Sequence, residues 1–399
     1  MIKKFRMIIP TLALALGLVG CGGSPASSGG GQGASPGGGA PSDTIKIGAE
    51  LSVTGPASSL GRPERDTLQM VVDEINASGG VGGKKLQLIT YDDESNPTKA
   101  VLNLKKLLDQ DHVSAVIGGT TSAISLGLIP TIEQAQVPFF SLAADQRIAT
   151  PVKPWVFKLP QGDNLVVERI LAYLKSQNIT KVGWLSSSDD FGQGGKNTFE
   201  ALAPKFGIQG VAFESYVPTD KDMIPQLTRI KNANPQAVII YGIPPGASIA
   251  TKNFAQLGFK VPLIHSHGIA NQDFLTQTGS ASNGVVFPAS KLLVANQLPD
   301  TDKQKAVLLK YKDDFEKKFG YPANAFGGHA WDAIHIVAKA VGAVGGDHQK
   351  IRDYVENNTK DFVGCTGVFT FNPADHNGLT KEALALIKVV DGKWTLLQE

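Results

Sequence analysis

The sequence predicts an α/β protein built as two doubly wound, parallel-sheet lobes. First, short apolar runs alternate with longer stretches of helical periodicity along nearly all of the chain after Asp43; strands separated by helix-length connections pair in parallel. Second, these strand–helix units are too many for one sheet of ordinary width. Third, 399 residues with 42% hydrophobic and 19% charged side chains suffice for two or three domains with substantial cores. The 38 basic and 36 acidic residues form no polybasic or polyacidic block, which argues against a nucleic-acid partner. Cys21 and Cys365 are the two cysteines, so neither a Cys-x-x-Cys pair nor a disulfide framework can be written.

The chain opens on an address. Lys3, Lys4 and Arg6 precede an apolar run from Met7 to Val19, broken by Pro10, Thr11 and Gly17. Crossing a bilayer takes about 20 apolar residues, so this run reads as the core of a signal peptide over residues 1–20. Leu18-Val19-Gly20-Cys21 resembles the lipobox of bacterial lipoproteins, which predicts a lipid anchor at Cys21; the alternative is a cleaved secretory signal followed by an incidental cysteine. Three of the 38 basic residues lie in this leader, and without it the balance is 35 against 36, a net charge of −1. Gly22 to Ser42 contains only Gly, Ser, Ala, Pro and Gln, so residues 21–43 read as the anchor and a flexible tether of roughly 25 Å mean reach.

From there the elements follow in order. Ile45–Leu51 reads as a strand. Pro63–Asn76 reads as a helix, with Leu68, Val71, Val72 and Ile75 on one face, since proline favours a first helical turn. Leu86–Tyr91 is a strand, Pro97–Leu108 a helix, Ala115–Gly118 a strand, Ser122–Ala135 a helix and Phe139–Leu142 a strand. Further strands are expected at Lys181–Leu185, Val211–Tyr216, Ala237–Tyr241, Leu263–His265 and Gly284–Phe287. Between them lie helices at Asp163–Gln177, Gly192–Phe206, Ile224–Asn232, Ala247–Leu257 and Gln272–Thr278. Helices at Lys303–Phe319, Ala325–Val344 and Ile351–Asn358 precede two closing strands, Leu384–Val390 and Trp394–Leu397, joined by the hairpin turn Asp391-Gly392.

Ligands of such sheets sit beyond the carboxyl ends of the strands, where helix N-termini present free N–H groups. Gly119–Ser122, Ser141–Asp145 and Ser186–Gly192 are strand-end loops rich in small polar residues; each taken alone reads more readily as a helix cap than as a site, and two adjoining sheets with such loops at one edge favour a site. Catalytic and cofactor motifs are missing: there is no Gly-x-Ser-x-Gly, His-Glu-x-x-His, or Gly-x-Gly-x-x-Gly after a strand. No cofactor or metal is expected, and the missing motifs lower the expectation of an enzyme without excluding one. Gly79-Gly80-Val81-Gly82-Gly83-Lys84 has the wrong spacing for a phosphate loop and reads as a helix stop. His265-Ser266-His267 places two imidazoles on one side of a strand end, a metal pair if a third ligand exists and polar loop histidines otherwise.

Several segments, in this order, resemble the bacterial extracellular solute-binding proteins typified by the leucine/isoleucine/valine-binding protein. They are Ile45-Lys46-Ile47-Gly48, Thr54-Gly55-Pro56 with Gly61, Val72 through Gly83, Lys85-Leu86-Gln87-Leu88, Tyr91-Asp92-Asp93, Pro97, Val116-Ile117-Gly118, Val137-Pro138 and Phe191-Gly192. The resemblance covers essentially all of residues 44–399. It implies the type I periplasmic-binding fold: two doubly wound lobes, 44–162 plus 290–371 and 163–289 plus 372–399, joined by three crossovers and closing on a small ligand for an ABC importer. It also implies a ligand-carboxylate site at Ser122, assisted by the backbone of Ala143 and Ala144, and further ligand contacts at Leu60, Asp145, Phe191, Ile243 and His267. Four of these depart from the family pattern: Asp145 replaces a Thr, Phe191 a Tyr, His267 the acidic residue that takes an α-ammonium, and Leu60 an aromatic. The family's half-cystines fall at Ser95 and Thr121.

An ammonium buried without a carboxylate is costly. Either Asp145 replaces the family's acidic residue, or the ligand is an ammonium-free acid; Asp145 is also readable as a partner of Arg147 or a cap. The expected protein is thus an extracytoplasmic, membrane-anchored binder of a small carboxylate, an amino acid or a compact organic or aromatic acid, that serves a membrane permease. A sensor of the same fold is an alternative, as is an exported hydrolase using a strand-end serine with His265 or His267.

Overall fold

β1 (Thr44–Leu51) is buried along almost its whole length, as a parallel strand covered on both faces must be. The chain continues through α1 (Ser58–Ala77), β2 (Lys85–Asp92), α2 (Pro97–Asp109), β3 (Ala115–Gly118), α3 (Ser122–Ala135), β4 (Phe139–Ser141) and β5 (Val156–Lys158). These strands form a five-stranded sheet in the order β2-β1-β3-β4-β5, parallel throughout. This computed structural model describes residues 44–398; the leader, Cys21 and the tether lie outside the described residues.

Two local differences from the sequence expectation have physical causes. α1 starts at Ser58, a turn before Pro63. Gly61 makes that early start possible: it packs so tightly on β1's exit that a Cβ there would lie 2.1 Å from the Ser52 carbonyl oxygen. β5 was not expected, since three residues ending in a lysine carry no periodic signal, yet Val156, Phe157 and Lys158 are all buried beside β4.

The second half supplies α4 (Asp163–Ser176), β6 (Lys181–Ser187), α5 (Asp190–Leu202), β7 (Gln209–Tyr216), α6 (Ile224–Asn232), β8 (Ala237–Tyr241), α7 (Gly246–Gln256), β9 (Leu263–His265), α8 (Gln272–Thr278) and β10 (Val286–Ser290). There follow α9 (Lys305–Phe319), α10 (Ala325–Val344), α11 (His348–Asn358), the short pair β11 (Phe362–Val363) and β12 (Val368–Phe369), then β13 (Leu384–Val390) and β14 (Lys393–Leu396). The second sheet has seven strands, ordered β14-β13-β10-β9-β8-β6-β7. It is parallel from β10 to β7, but β13 and β14 join antiparallel at one edge. This is the hairpin that the sequence predicts: it turns on Asp391 and Gly392, at φ 49° and 71°, the left-handed pair that a two-residue turn demands.

The chain passes between the two sheets three times: from β5 to α4, from β10 to the helices α9 and α10, and from β12 to β13. α10 returns to the first sheet and lies along α1. Loops leaving the carboxyl ends of parallel strands in both sheets meet at a shared cleft.

Candidate functional site

A cavity of about 330 Å³ lies in that cleft, within the size range of small-molecule sites. It is lined by loops leaving β1, β2 and β3, by those leaving β4, β6 and β7, by those leaving β8 and β9, and by the start of α10. Leu60, Ser122, Ala143, Ala144, Phe191, Ile243 and His267 all line it. Asp145 does not.

Part of the lining comes from the loops that leave β3 and β4. β3 ends in Gly118 and Gly119, both at positive φ, and a Cβ on Gly118 would fall 1.9 Å from the Glu50 carbonyl oxygen. This tight exit brings Thr121 to cap α3, accepting from the Ile124 N–H, and puts Ser122 at the first helical position. The first N–H groups of a helix have no partner within it and favour negative charge. The Ser122 hydroxyl oxygen, which accepts from the Asp145 N–H at 3.3 Å, keeps a proton to donate. Beside it the β4 exit is anchored by Ser141, whose hydroxyl meets Ser125 at 2.7 Å and accepts from the Ala143 N–H at 3.2 Å. Ala143 and Ala144 carry only methyl groups, so a ligand can approach their backbone.

Asp145 faces away from the cavity lining. Its side chain is 0% exposed and fully engaged: it caps a 3-10 turn by accepting from the Arg147 N–H at 2.7 Å, and both its oxygens accept from the Arg147 guanidinium at 2.5–3.1 Å. Arg147 also donates to Asp190, at the start of α5, at 2.8 Å. The cap-and-ion-pair alternative is what the structure shows.

Another part of the lining is aromatic and imidazole-rich. His267 leaves β9 with its turn capped by Ser266, its ring edge-on to Phe191 at 5.6 Å. Gly268 keeps this loop tight, since a Cβ there would meet the Phe191 ring at 3.0 Å. His265 diverges from it into the core, Nε2 bonded to Thr251 at 2.9 Å and the ring edge-on to Phe274. The pair does not converge, and no group of three metal-ligating side chains exists among the described residues.

Among the lining residues that sequence reasoning missed, His329 and Tyr216 carry polar atoms into the cavity. His329 belongs to α10, whose start is capped by Asn324 accepting from the Phe326 and Gly327 N–H groups. Gly327 has no side chain where a Cβ would lie 2.2 Å from the Tyr311 hydroxyl, so α10 seats closely and presents His329 to the cavity. Tyr216, at the end of β7, also lines it, its ring held against Gly242 and Gly246. A lone imidazole among Ala325-Phe326-Gly327-Gly328 was the available signal for His329.

Four buried polar atoms here have no hydrogen-bond partner among the described residues: His267 Nδ1, His329 Nδ1 and Nε2, and the Tyr216 hydroxyl. Burial pulls both imidazoles down to about 3, helped by the nearby Lys158 cation, so both are neutral at neutral pH. Lys158 is itself buried, donating to the Pro160 carbonyl at 2.7 Å, and burial lowers it to about 8. Asp163, which accepts from the Tyr241 hydroxyl, is pushed up to about 7 by its burial.

Comparison with known proteins agrees with this architecture. The profile of the periplasmic binding protein family matches residues 44–393. A leucine-, isoleucine-, valine-, threonine- and alanine-binding protein of Pseudomonas aeruginosa is 26% identical over 335 residues, 83% of this chain and 86% of that one. Among solved structures, an extracellular ligand-binding receptor from Rhodopseudomonas palustris HaA2 superposes with a TM-score of 0.83 at 29% identity, covering 88% of this chain and 99% of the other. The substrate-binding protein of a branched-chain amino acid transporter from Streptococcus pneumoniae, in complex with isoleucine, gives 0.79 at 25%, covering 89% and 99%.

Proposed function

Because this chain belongs to the periplasmic binding protein family, we propose that it is an extracytoplasmic solute-binding lipoprotein, anchored through Cys21, that captures a small carboxylate-bearing solute and delivers it to an ABC importer. Its lobes are 44–162 plus 290–371 and 163–289 plus 372–399, and they close on the solute without transforming it. The observation that carries this reading is the polarity of the cavity. Ser122, the first turn of α3 and the bare backbone of Ala143 and Ala144 make an anion cradle at one end, while Phe191, Ile243 and Leu60 offer an apolar wall for the solute's body. The Pseudomonas and Streptococcus relatives place amino acids among the solutes to test.

A thermal-shift screen of amino acids and of organic and aromatic acids tests it. A solute at 100 times its dissociation constant adds about 2.7 kcal/mol of stability, and the bound compound should be recovered unchanged. A screen in which only compounds without a carboxylate stabilise the protein contradicts the reading. The anchor is checked separately: Cys21→Ser should release the protein from the membrane with its binding intact.

A further inference from the structure

We propose that His267 and His329 together read an uncharged oxygen group on the solute, so that this cavity takes a compact hydroxy- or oxo-carboxylic acid that carries no ammonium. This rests on the carboxylate-binding reading above and narrows it.

An ammonium enters a low-dielectric site only opposite an anion. Asp145 is sealed by Arg147 and absent from the lining. Asp189 is the one acidic side chain among the described lining residues. It caps α5, its Oδ1 accepting from the Ser187 hydroxyl at 2.7 Å and from the Gly192 N–H at 3.0 Å. Lys158, buried and close enough to be felt by both rings, is itself faced by the buried Asp163 and Asp145, so neither sign of charge is presented bare to the cavity.

What the cavity does offer at this end is hydrogen-bonding capacity without charge. A neutral imidazole donates from one nitrogen and accepts at the other, and three of the four nitrogens of His267 and His329 are buried with no partner. Buried polar groups in folded proteins are almost always paired, so atoms left open on a cavity wall mark where a ligand supplies the partner. Both rings are fixed edge-on to phenylalanines, His267 to Phe191 and His329 to Phe326 at 5.9 Å, which aims their nitrogens. A hydroxyl, donor and acceptor at once, matches this pair; a carbonyl meets its N–H groups at no cost in charge, whereas an ammonium would bring a charge to a wall that offers it only neutral acceptors.

The test is calorimetric titration of the purified protein with two series, each built on one body. The first is leucine, 2-hydroxy-4-methylpentanoate, 4-methyl-2-oxopentanoate and 4-methylpentanoate. The second is 4-(aminomethyl)benzoate, 4-hydroxybenzoate and benzoate. In at least one series the hydroxy or oxo acid should bind about tenfold or more tighter than the ammonium-bearing member. His329→Phe should erase the advantage of the hydroxy or oxo acid over the plain acid, and His329→Gln, which keeps a neutral donor, should restore part of it. Tightest binding of the ammonium member in both series, or its loss on Asp189→Asn, overturns the inference while leaving the carboxylate reading intact. An unchanged preference in His329→Phe overturns it equally. No binding by any acid of either series contradicts both.

Discussion

Ser122 is the residue on which the anion cradle turns, and its role can be separated from that of its neighbours. Its hydroxyl bonds Asp145's N–H inside the protein and donates outward, so Ser122→Ala removes a bond to a charged oxygen without opening the fold. Affinity for any bound acid should fall by about 1.5–3 kcal/mol, roughly ten- to a hundredfold, as measured by calorimetry; an unchanged affinity would place the carboxylate elsewhere. A second group of residues lies just beneath. Glu50, Glu64 and Asp93 are all buried, and the Thr120 hydroxyl donates to Glu64 at 2.6 Å. Burial, reinforced by Asp93, pushes Glu50 from 4.5 up to about 9. The folded chain therefore holds a proton that the unfolded chain releases above pH 4.5, and stability from this group falls as pH rises from there toward about 9. Glu50→Gln, neutral at every pH, should flatten the decline of melting temperature across that window; an equally steep decline in the variant would show that Glu50 is not its source.

At the scale of elements, periodicity and turn chemistry made most of the fold legible. The helix at Ser122–Ala135, the strand at Ala115–Gly118 and the Asp391-Gly392 hairpin all lie where the sequence reading puts them. What stayed illegible had local reasons. β5 is three residues long, and its Lys158 is a buried cation that pattern reasoning places on a surface. His329 and Tyr216 sit on elements whose apolar periodicity is plain, but periodicity cannot tell a face that packs on a core from one that borders a cavity. Asp145 was legible only as alternatives, and the pairing with Arg147 decides between them. That pairing also joins two elements, because Arg147 follows β4 in the first sheet while Asp190 opens α5 against the second. Arg147→Met should leave Asp145 buried with only its backbone bond and destabilise the protein by about 1–3 kcal/mol in denaturant titration. Adding Asp145→Asn should recover much of that loss. A double variant no more stable than Arg147→Met would mean that the ion pair is not the reason.

At the scale of the whole molecule, a cavity whose walls come from both sheets, connected by three passages of chain, suits a ligand enclosed by relative motion of its two sides. Ser122 and the alanines stand on the first sheet's loops, and Phe191, Ile243 and His267 on the second's, so a solute touching both favours the closed arrangement by the difference in contacts. Small-angle scattering on the protein, with and without a saturating amount of the tightest-binding acid from the thermal screen, tests this most directly. The radius of gyration should fall on addition of that acid, and fall less in Ser122→Ala at a concentration that saturates the unmodified protein but not the variant. Stoichiometric binding with an unchanged scattering profile would contradict capture between the two sheets and put the solute within one of them.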